Sequence, residues 1–123
     1  MYELKIVTDF AAAHRLNNFY GKCESLHGHN WKVEVSVASN RLGKEGVVID
    51  FGILKQKVEK VLKPLDHTYL NDLPYFSGIE PSSENIAKYI FDKLKRELKE
   101  YRVTLKRVTA WESENACATY FGR

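Results

Sequence analysis

The sequence predicts an α+β domain: a four-stranded antiparallel sheet with two helices on one of its faces. Two observations indicate this fold. Apolar and polar residues alternate near both ends of the chain, as they do in half-buried strands, and two segments between them carry apolar residues at helical spacing. The length of 123 residues suits one domain, so we expect residues 1–123 to form a single domain.

The four strands are predicted from alternation. From Tyr2 to Ala13 the even positions are mostly apolar, and from His29 to Ser39 a tryptophan and three valines share one face. Residues 101–112 and 116–121 read as a closing hairpin. The alternation in the first strand of this hairpin changes phase near Lys106, which indicates a β-bulge.

The two helices are predicted from their caps and apolar stripes. Asp50 is a good N-cap for a helix that Pro64 ends, and Ser82 to Asn85 open the second helix. The connection between them, residues 65–81, is long, and long loops in compact domains are usually functional.

The sheet face turned away from the helices is expected to be partly apolar, because we place Val7, Ala11, Val108 and Ala110 on it. A four-stranded sheet also leaves two edges with unpaired backbone groups. Covering this face and these edges requires other copies of the chain, so we expect a homo-oligomer.

Composition limits the class of protein. Apolar residues make up 44% and charged residues 28%, as in ordinary globular domains. The sequence has no apolar run long enough to span a bilayer and no signal-like start, so we expect a cytoplasmic protein without membrane contact. Its 19 basic and 16 acidic residues are interspersed and give a net charge of +3, which argues against nucleic-acid binding. Two cysteines do not make a disulfide framework.

Three of the four histidines predict a metal site. His27 and His29 are two residues apart at the start of a strand, so their imidazoles point to one face, and His14 ends a neighbouring strand in the same phase. Three imidazoles without an obvious fourth protein ligand are typical of catalytic zinc, whose open position takes water or substrate. Copper, iron and nickel also accept imidazole ligands.

Cys23, four residues before His27, is a candidate base, because a nearby dication lowers the pKa of a thiol and favours the nucleophilic thiolate. Cys23 could instead be a fourth zinc ligand that closes a structural site.

Five segments carry a resemblance to a known family. In order along the chain they are Ala11–Leu16 (AAAHRL), Cys23–His29 (CESLHGH), Leu65–Asp72 (LDHTYLND), Pro81–Asn85 (PSSEN) and Val108–Ser113 (VTAWES). Together they resemble the 6-pyruvoyl-tetrahydropterin synthase/6-carboxy-tetrahydropterin synthase family over nearly the whole chain. The resemblance implies the tunnelling fold, in which three protomers close a twelve-stranded β-barrel and two rings stack into a hexamer. It also implies 7,8-dihydroneopterin triphosphate as the substrate.

The resemblance implies a role for each matching residue. His14, His27 and His29 would bind zinc, and Cys23 would be the general base. Asp66 and His67 would reach the site of a neighbouring protomer as a proton relay, and Glu112 would anchor the pterin. Ser82, Ser83 and Glu84 would line the pterin pocket, although the same segment also reads as a helix cap.

The spacing between Cys23 and His27 is similar to that of 6-carboxy-tetrahydropterin synthases, lyases that form 6-carboxy-tetrahydropterin, acetaldehyde and triphosphate for queuosine and related deazapurine pathways. Alternatives remain open. One is a 6-pyruvoyl-tetrahydropterin synthase. Another is a dual enzyme, since Glu24 matches the base of a subgroup that forms 6-hydroxymethyl-dihydropterin for folate. The others are a zinc-dependent pterin-binding protein without turnover and a zinc-free enzyme of the same fold.

Overall fold

The computed structural model describes residues 1–18, 20–21 and 24–123 of the chain. In this part of the chain, two helices pack against a five-stranded sheet whose strand order is β3-β1-β2-β4-β5. The elements in chain order are β1 (Tyr2–His14), β2 (His27–Ser39), α1 (Phe51–Leu62), β3 (Thr68–Tyr69), α2 (Ser83–Glu97), β4 (Thr104–Ser113) and β5 (Ala116–Tyr120), with two short 3₁₀ helices between β3 and α2.

The α+β class is confirmed, but the expected sheet of four antiparallel strands is wrong in one respect. The fifth strand, β3, runs parallel to the end of β1 and pairs with Ala12 and Ala13. A two-residue strand is too short to show alternation, so no sequence pattern predicts it. Its position follows from the chain just before it, where the His67 backbone N–H donates to the Ala11 carbonyl.

The central pair of strands is longer than predicted. β1 and β2 are antiparallel from the Tyr2–Ser39 pair to the His14–His27 pair. The expected limits were Ala13 and His29, so the ladder takes in one more residue of β1 and two more of β2. The extension matters because it places all three predicted metal ligands inside regular strand pairing.

Both helix starts are confirmed. The Asp50 carboxylate accepts a hydrogen bond from the Gly52 N–H at 2.6 Å, and the Ser82 hydroxyl accepts one from the Asn85 N–H at 3.2 Å. No helix in the described residues is long and apolar enough to cross a bilayer. Both helices bury their apolar stripes on one sheet face, where they form a single core with the strands; its fully buried members include Trp31, Val33, Val35, Leu54, Val58, Ile86, Ile90, Leu94, Val108 and Ala110.

Strand β4 carries the predicted bulge. Ser36 pairs with Arg107 and Val37 with Leu105, so Lys106 has no partner on β2. A second irregularity near the other end of β4 was not predicted. There Trp111 pairs with Cys117 and Ser113 with Ala116.

The placement of Val108 and Ala110 on the outer face is therefore wrong. Both are fully buried in the core, and Val108 pairs with the equally buried Val35. The extra residue at Lys106 reverses the facing of the residues that follow it, which moves the two side chains to the helix side. The outer face still exposes Val7, at 54% of its full accessibility.

Candidate metal centre and active site

The three histidines predicted as metal ligands lie together at one end of the sheet. His14 on β1 pairs with His27 on β2, and Ala12, two residues before His14, pairs with His29 on β2. All three imidazoles therefore project from one face of the sheet. Their ring centroids are 4.5 to 5.2 Å apart. Strand pairing alone therefore sets the three-histidine arrangement.

Two of the rings are oriented by backbone carbonyls. His14 Nδ1 lies 2.7 Å from the Pro81 carbonyl oxygen, and His27 Nδ1 lies 2.7 Å from the Ser25 carbonyl oxygen. A carbonyl only accepts, so each Nδ1 carries the proton and each Nε2 presents its lone pair to the centre of the cluster. This arrangement is typical of histidine ligands in metal sites.

Glu112 completes the cluster. Its Oε1 lies 3.0 Å from His14 Nε2, 3.4 Å from His29 Nε2 and 3.8 Å from His27 Nε2. These are close approaches without hydrogen bonds, because the buried Nε2 atoms of His14 and His29 have no hydrogen-bond partner in the described part of the chain. Four ligand atoms that all lie within 4.8 Å of one another could bind a metal ion.

The electrostatics of His29 fit this use. Burial is the largest influence and lowers the pKa of His29, and the neighbouring His27 and His14 lower it too. The carboxylates of Glu112 and Glu24 oppose this shift without reversing it. A lowered pKa keeps the imidazole neutral at neutral pH, and the neutral form is the one that ligates metal.

Glu24 lies beside this cluster in a fixed position. Its carboxylate accepts a hydrogen bond from the Leu16 N–H at 3.1 Å, and its own N–H donates to the Leu16 carbonyl at 2.9 Å. It is half-buried and close enough to influence the pKa of His29. Cys23, the predicted general base, lies outside the described residues.

Asp66 and His67 form a pair in the turn before β3, at the edge of β1. His67 Nδ1 lies 3.0 Å from Asp66 Oδ2, and Asp66 Oδ1 accepts a hydrogen bond from the Ala11 N–H at 2.9 Å. That backbone hydrogen bond lowers the pKa of the Asp66 carboxyl, and His67 lowers it further. The carboxylate is therefore ionised at neutral pH.

This pair makes no polar contact with the metal cluster of its own chain. The His67 side chain is 81% exposed, and it lines a shallow depression together with Ala13, Asn30 and His29, one of the residues of the cluster. Among the described residues, neither Asp66 nor His67 makes a hydrogen bond or ion pair with the four residues of the cluster.

The segment before α2 lies next to the metal cluster through Pro81, whose carbonyl meets His14. Ser82 caps the helix, Ser83 is its first residue and Glu84 is exposed in its first turn. The cap prediction for Ser82 is thus confirmed, and the segment meets the cluster at the Pro81 carbonyl just before these three residues.

Comparison with known proteins agrees with this architecture. The family profile of 6-pyruvoyl tetrahydropterin synthase matches residues 3–123. This chain belongs to that family. The resemblance inferred from the five segments is therefore confirmed, and the chain is an enzyme of the tetrahydropterin synthase type.

Relatives within the 6-pyruvoyl tetrahydropterin synthase family carry more than one name. A 6-carboxy-5,6,7,8-tetrahydropterin synthase of Synechocystis is 50% identical over 91 residues, which cover 69% of this chain and 68% of that protein. The structure of the Caenorhabditis elegans 6-pyruvoyl tetrahydropterin synthase matches 99% of this chain and 96% of its own, with a TM-score of 0.85 and 29% identity. The structure of a Plasmodium vivax 6-pyruvoyltetrahydropterin synthase was solved with a catalytic glutamate replaced by alanine. It matches 97% of this chain and 96% of its own, with a TM-score of 0.79 and 31% identity.

One positioning residue of this family member was missed by the sequence analysis. The Asn71 amide holds both backbone groups of Arg15, accepting from its N–H at 2.9 Å and donating to its carbonyl at 2.7 Å. This clamp fixes the chain directly after His14. Asn71 lies in one of the five segments, but its residue type gives no indication of a partner so far away in the sequence.

Proposed function

We propose that the chain is a zinc-dependent lyase that converts 7,8-dihydroneopterin triphosphate to 6-carboxy-5,6,7,8-tetrahydropterin, with loss of triphosphate and acetaldehyde. The observation that carries this proposal is the convergence of His14, His27, His29 and Glu112 in a chain whose Synechocystis relative is named for that product. Such a product would feed deazapurine synthesis of the queuosine type.

The ligand chemistry favours zinc, which prefers imidazole nitrogen and carboxylate oxygen at four-coordinate sites. When bound, zinc would supply Lewis acidity to the side-chain oxygens of the substrate. His14 and His27, held by the carbonyls of Pro81 and Ser25, would keep the ion in place. Cys23 would remove a proton from the neighbouring substrate carbon, as a positioned general base.

Pterin recognition would come from Glu112, Ser82, Ser83 and Glu84. A carboxylate can accept two parallel hydrogen bonds from a ring N–H and an exocyclic amino group, which fixes the orientation of the ring. The residues at the start of α2 directly follow Pro81, whose carbonyl contacts His14 of the cluster. This position would allow them to line the same pocket.

Asp66 and His67 would act as a proton relay in the active site of a neighbouring copy. Their exposed position supports this assignment, because among the described residues the pair makes no hydrogen bond or ion pair with His14, His27 or His29 of its own chain. The ionised Asp66 would stabilise the charged form of His67 during transfer.

This sharing of sites predicts assembly into a trimeric ring, alone or doubled into a hexamer. Among the described residues, β1 pairs with β3 only at Ala12 and Ala13, and the outer side of β5 has no partner, so both edges can accept a strand from another copy. Light scattering at micromolar concentration is expected to give three or six times the mass of one chain. A stable and active monomer would contradict both the ring and the shared site.

A second activity is favoured by a specific observation at Glu24. This carboxylate is held by Leu16 near His29, and the Plasmodium vivax relative has a catalytic glutamate. A glutamate base next to the metal would suit formation of 6-hydroxymethyl-dihydropterin, so a dual enzyme is one alternative. The other alternative is a 6-pyruvoyl-tetrahydropterin synthase, the name that the Caenorhabditis elegans relative carries.

Product analysis tests the proposal directly. The purified zinc-loaded protein is incubated with 7,8-dihydroneopterin triphosphate, and the pterins are identified by liquid chromatography and mass spectrometry. We expect 6-carboxy-tetrahydropterin as the main product, with acetaldehyde and triphosphate in equal amounts. Mainly 6-pyruvoyl-tetrahydropterin or 6-hydroxymethyl-dihydropterin would overturn the assignment in favour of the corresponding alternative.

A further inference from the structure

A basic depression lies at the end of the sheet opposite the metal cluster. The end of β2, the connection after α2 and the start of β4 form its wall, and its volume is about 460 Å³. We propose that this depression binds an oligophosphate, a chain of linked phosphate groups that is either free or carried by a nucleotide. None of its residues belongs to the metal cluster, so the site does not depend on the proposed function.

The depression is remote from the metal cluster. Strand β2 begins at His27, among the clustered histidines, and reaches the depression with its last two residues, Ala38 and Ser39. Because a strand rises about 3.3 Å per residue, the stretch from His29 to Ser39 spans roughly 30 Å. An anion bound in the depression would therefore occupy a second site, separate from the proposed site of the reaction.

Three cationic side chains line the depression: Arg41, Arg102 and Lys106. No acidic residue is among the described residues that line it. In the described part of the chain none of the three makes an ion pair, although Arg107, next to Lys106, is paired with Glu3. Unpaired cations on one concave surface maintain a positive potential there, which favours an anion with several charges.

The bulge in β4 explains the position of Lys106. This residue lies between the partners of Ser36 and Val37, so it is the extra residue of the bulge and has no partner on β2. Bulges bend a strand and re-aim its side chains. Here the extra lysine lines the depression, whereas the neighbouring Arg107 forms its ion pair with Glu3 on β1.

The two arginines follow backbone that is held by local hydrogen bonds. The Arg41 N–H donates to the Ser39 hydroxyl at 3.1 Å, and the N–H of Tyr101, just before Arg102, donates to the Leu98 carbonyl at 3.0 Å. Loops that are already ordered lose less conformational entropy when a ligand binds. The depression is therefore suited to bind an anion without a large rearrangement.

The chemistry of the wall indicates the class of ligand. The planar fork of an arginine matches two oxygens of one phosphate, and a lysine adds a point charge. A water molecule takes about 30 Å³, so a depression of about 460 Å³ has room for an anion much larger than a single phosphate. Tyr101 also lines it and offers an aromatic ring on which a nucleotide base could stack.

Calorimetric titration of the purified protein tests this site. The probes are inorganic tripolyphosphate and ATP, which carry three linked phosphates without and with a nucleoside. The variant Arg102→Gln, Lys106→Gln removes two of the three cations. Its matched control is Lys44→Gln, Lys55→Gln, which removes two exposed cations that lie outside the depression and make no ion pair in the described part of the chain. Circular dichroism checks that both double variants keep the fold.

We expect Arg102→Gln, Lys106→Gln to weaken tripolyphosphate binding on the order of 10- to 100-fold, because each lost cation removes a charge-assisted hydrogen bond. The control is expected to bind as the unmodified protein does. Added salt should weaken binding by screening. Equal affinity for the two probes would support a free oligophosphate as the ligand, and tighter binding of ATP would support a nucleotide.

Three results would overturn the site. The first is no binding of either probe by the unmodified protein at millimolar concentration, and the second is an equal loss in both double variants. The third is an unchanged affinity in Arg102→Gln, Lys106→Gln, which would place the bound probe elsewhere, for example at the metal. If that variant does not fold, Arg41→Gln removes the third cation alone and is judged by the same outcomes, with Lys44→Gln as its control. Each of these results leaves metal content and reaction products, and hence the proposed function, untouched.

Discussion

Replacing His27 and His29 together by alanine is expected to remove the bound metal and abolish turnover. The unmodified protein should contain about one zinc ion per chain. The double variant retains only His14 and Glu112 from the cluster. Two protein ligands bind a single zinc ion too weakly to keep it through gel filtration. Elemental analysis after gel filtration measures the metal content, and circular dichroism checks that the fold is kept.

The fourth histidine gives a matched control for this experiment. His67 is 81% exposed and is not one of the four clustered residues that could hold the metal, so His67→Ala is expected to keep its full metal content. Its turnover should nevertheless fall, because it belongs to the proposed proton relay. Stoichiometric zinc in the His27→Ala, His29→Ala double variant would contradict the assignment of the metal site.

Replacing Cys23 by alanine is expected to lower formation of 6-carboxy-tetrahydropterin on the order of 10²-fold or more, which is typical of losing a positioned base. Metal content should not change, since the ligands proposed for the ion are His14, His27 and His29. Steady-state rates from product chromatography, together with elemental analysis, give both quantities. The matched control is Cys117→Ala, which removes the exposed thiol on β5 and should leave the rate unchanged.

The glutamate beside Cys23 separates two outcomes. If Glu24 is a second base, Cys23→Ala should retain formation of 6-hydroxymethyl-dihydropterin, and Glu24→Gln should remove that product while sparing the first. Unchanged products in Glu24→Gln would mean that the enzyme has a single activity. Loss of metal from Cys23→Ala would identify the cysteine as a ligand and contradict its role as base.

Local patterns were enough to predict much of this molecule. The caps at Asp50 and Ser82 are confirmed because each depends on one side chain and a backbone N–H two or three residues later. The grouping of His14, His27 and His29 was predictable because strand alternation places the three side chains on one face once β1 and β2 pair without a shift.

The features that sequence reasoning missed all depend on tertiary contacts. The short strand β3 forms because Asp66 and His67 bind Ala11, which is distant along the chain. Glu112 lies among the histidines because of a bulge near the end of β4. A bulge at the end of a strand leaves too few residues after it for the sequence to show a change of alternation. Val108 was placed on the wrong face although the bulge before it was predicted, because one inserted residue reverses every later position.

The contact between the Asp66–His67 turn and Ala11 also acts as a stop on the open edge of β1. Ala11 offers both its N–H and its carbonyl to this edge, and the turn occupies both. The edge therefore stays available only from Glu3 to Asp9, and a strand that is added there must end before it reaches the turn. The turn thus ends the free edge of β1 at Ala11 and limits the length over which a further strand could pair with β1.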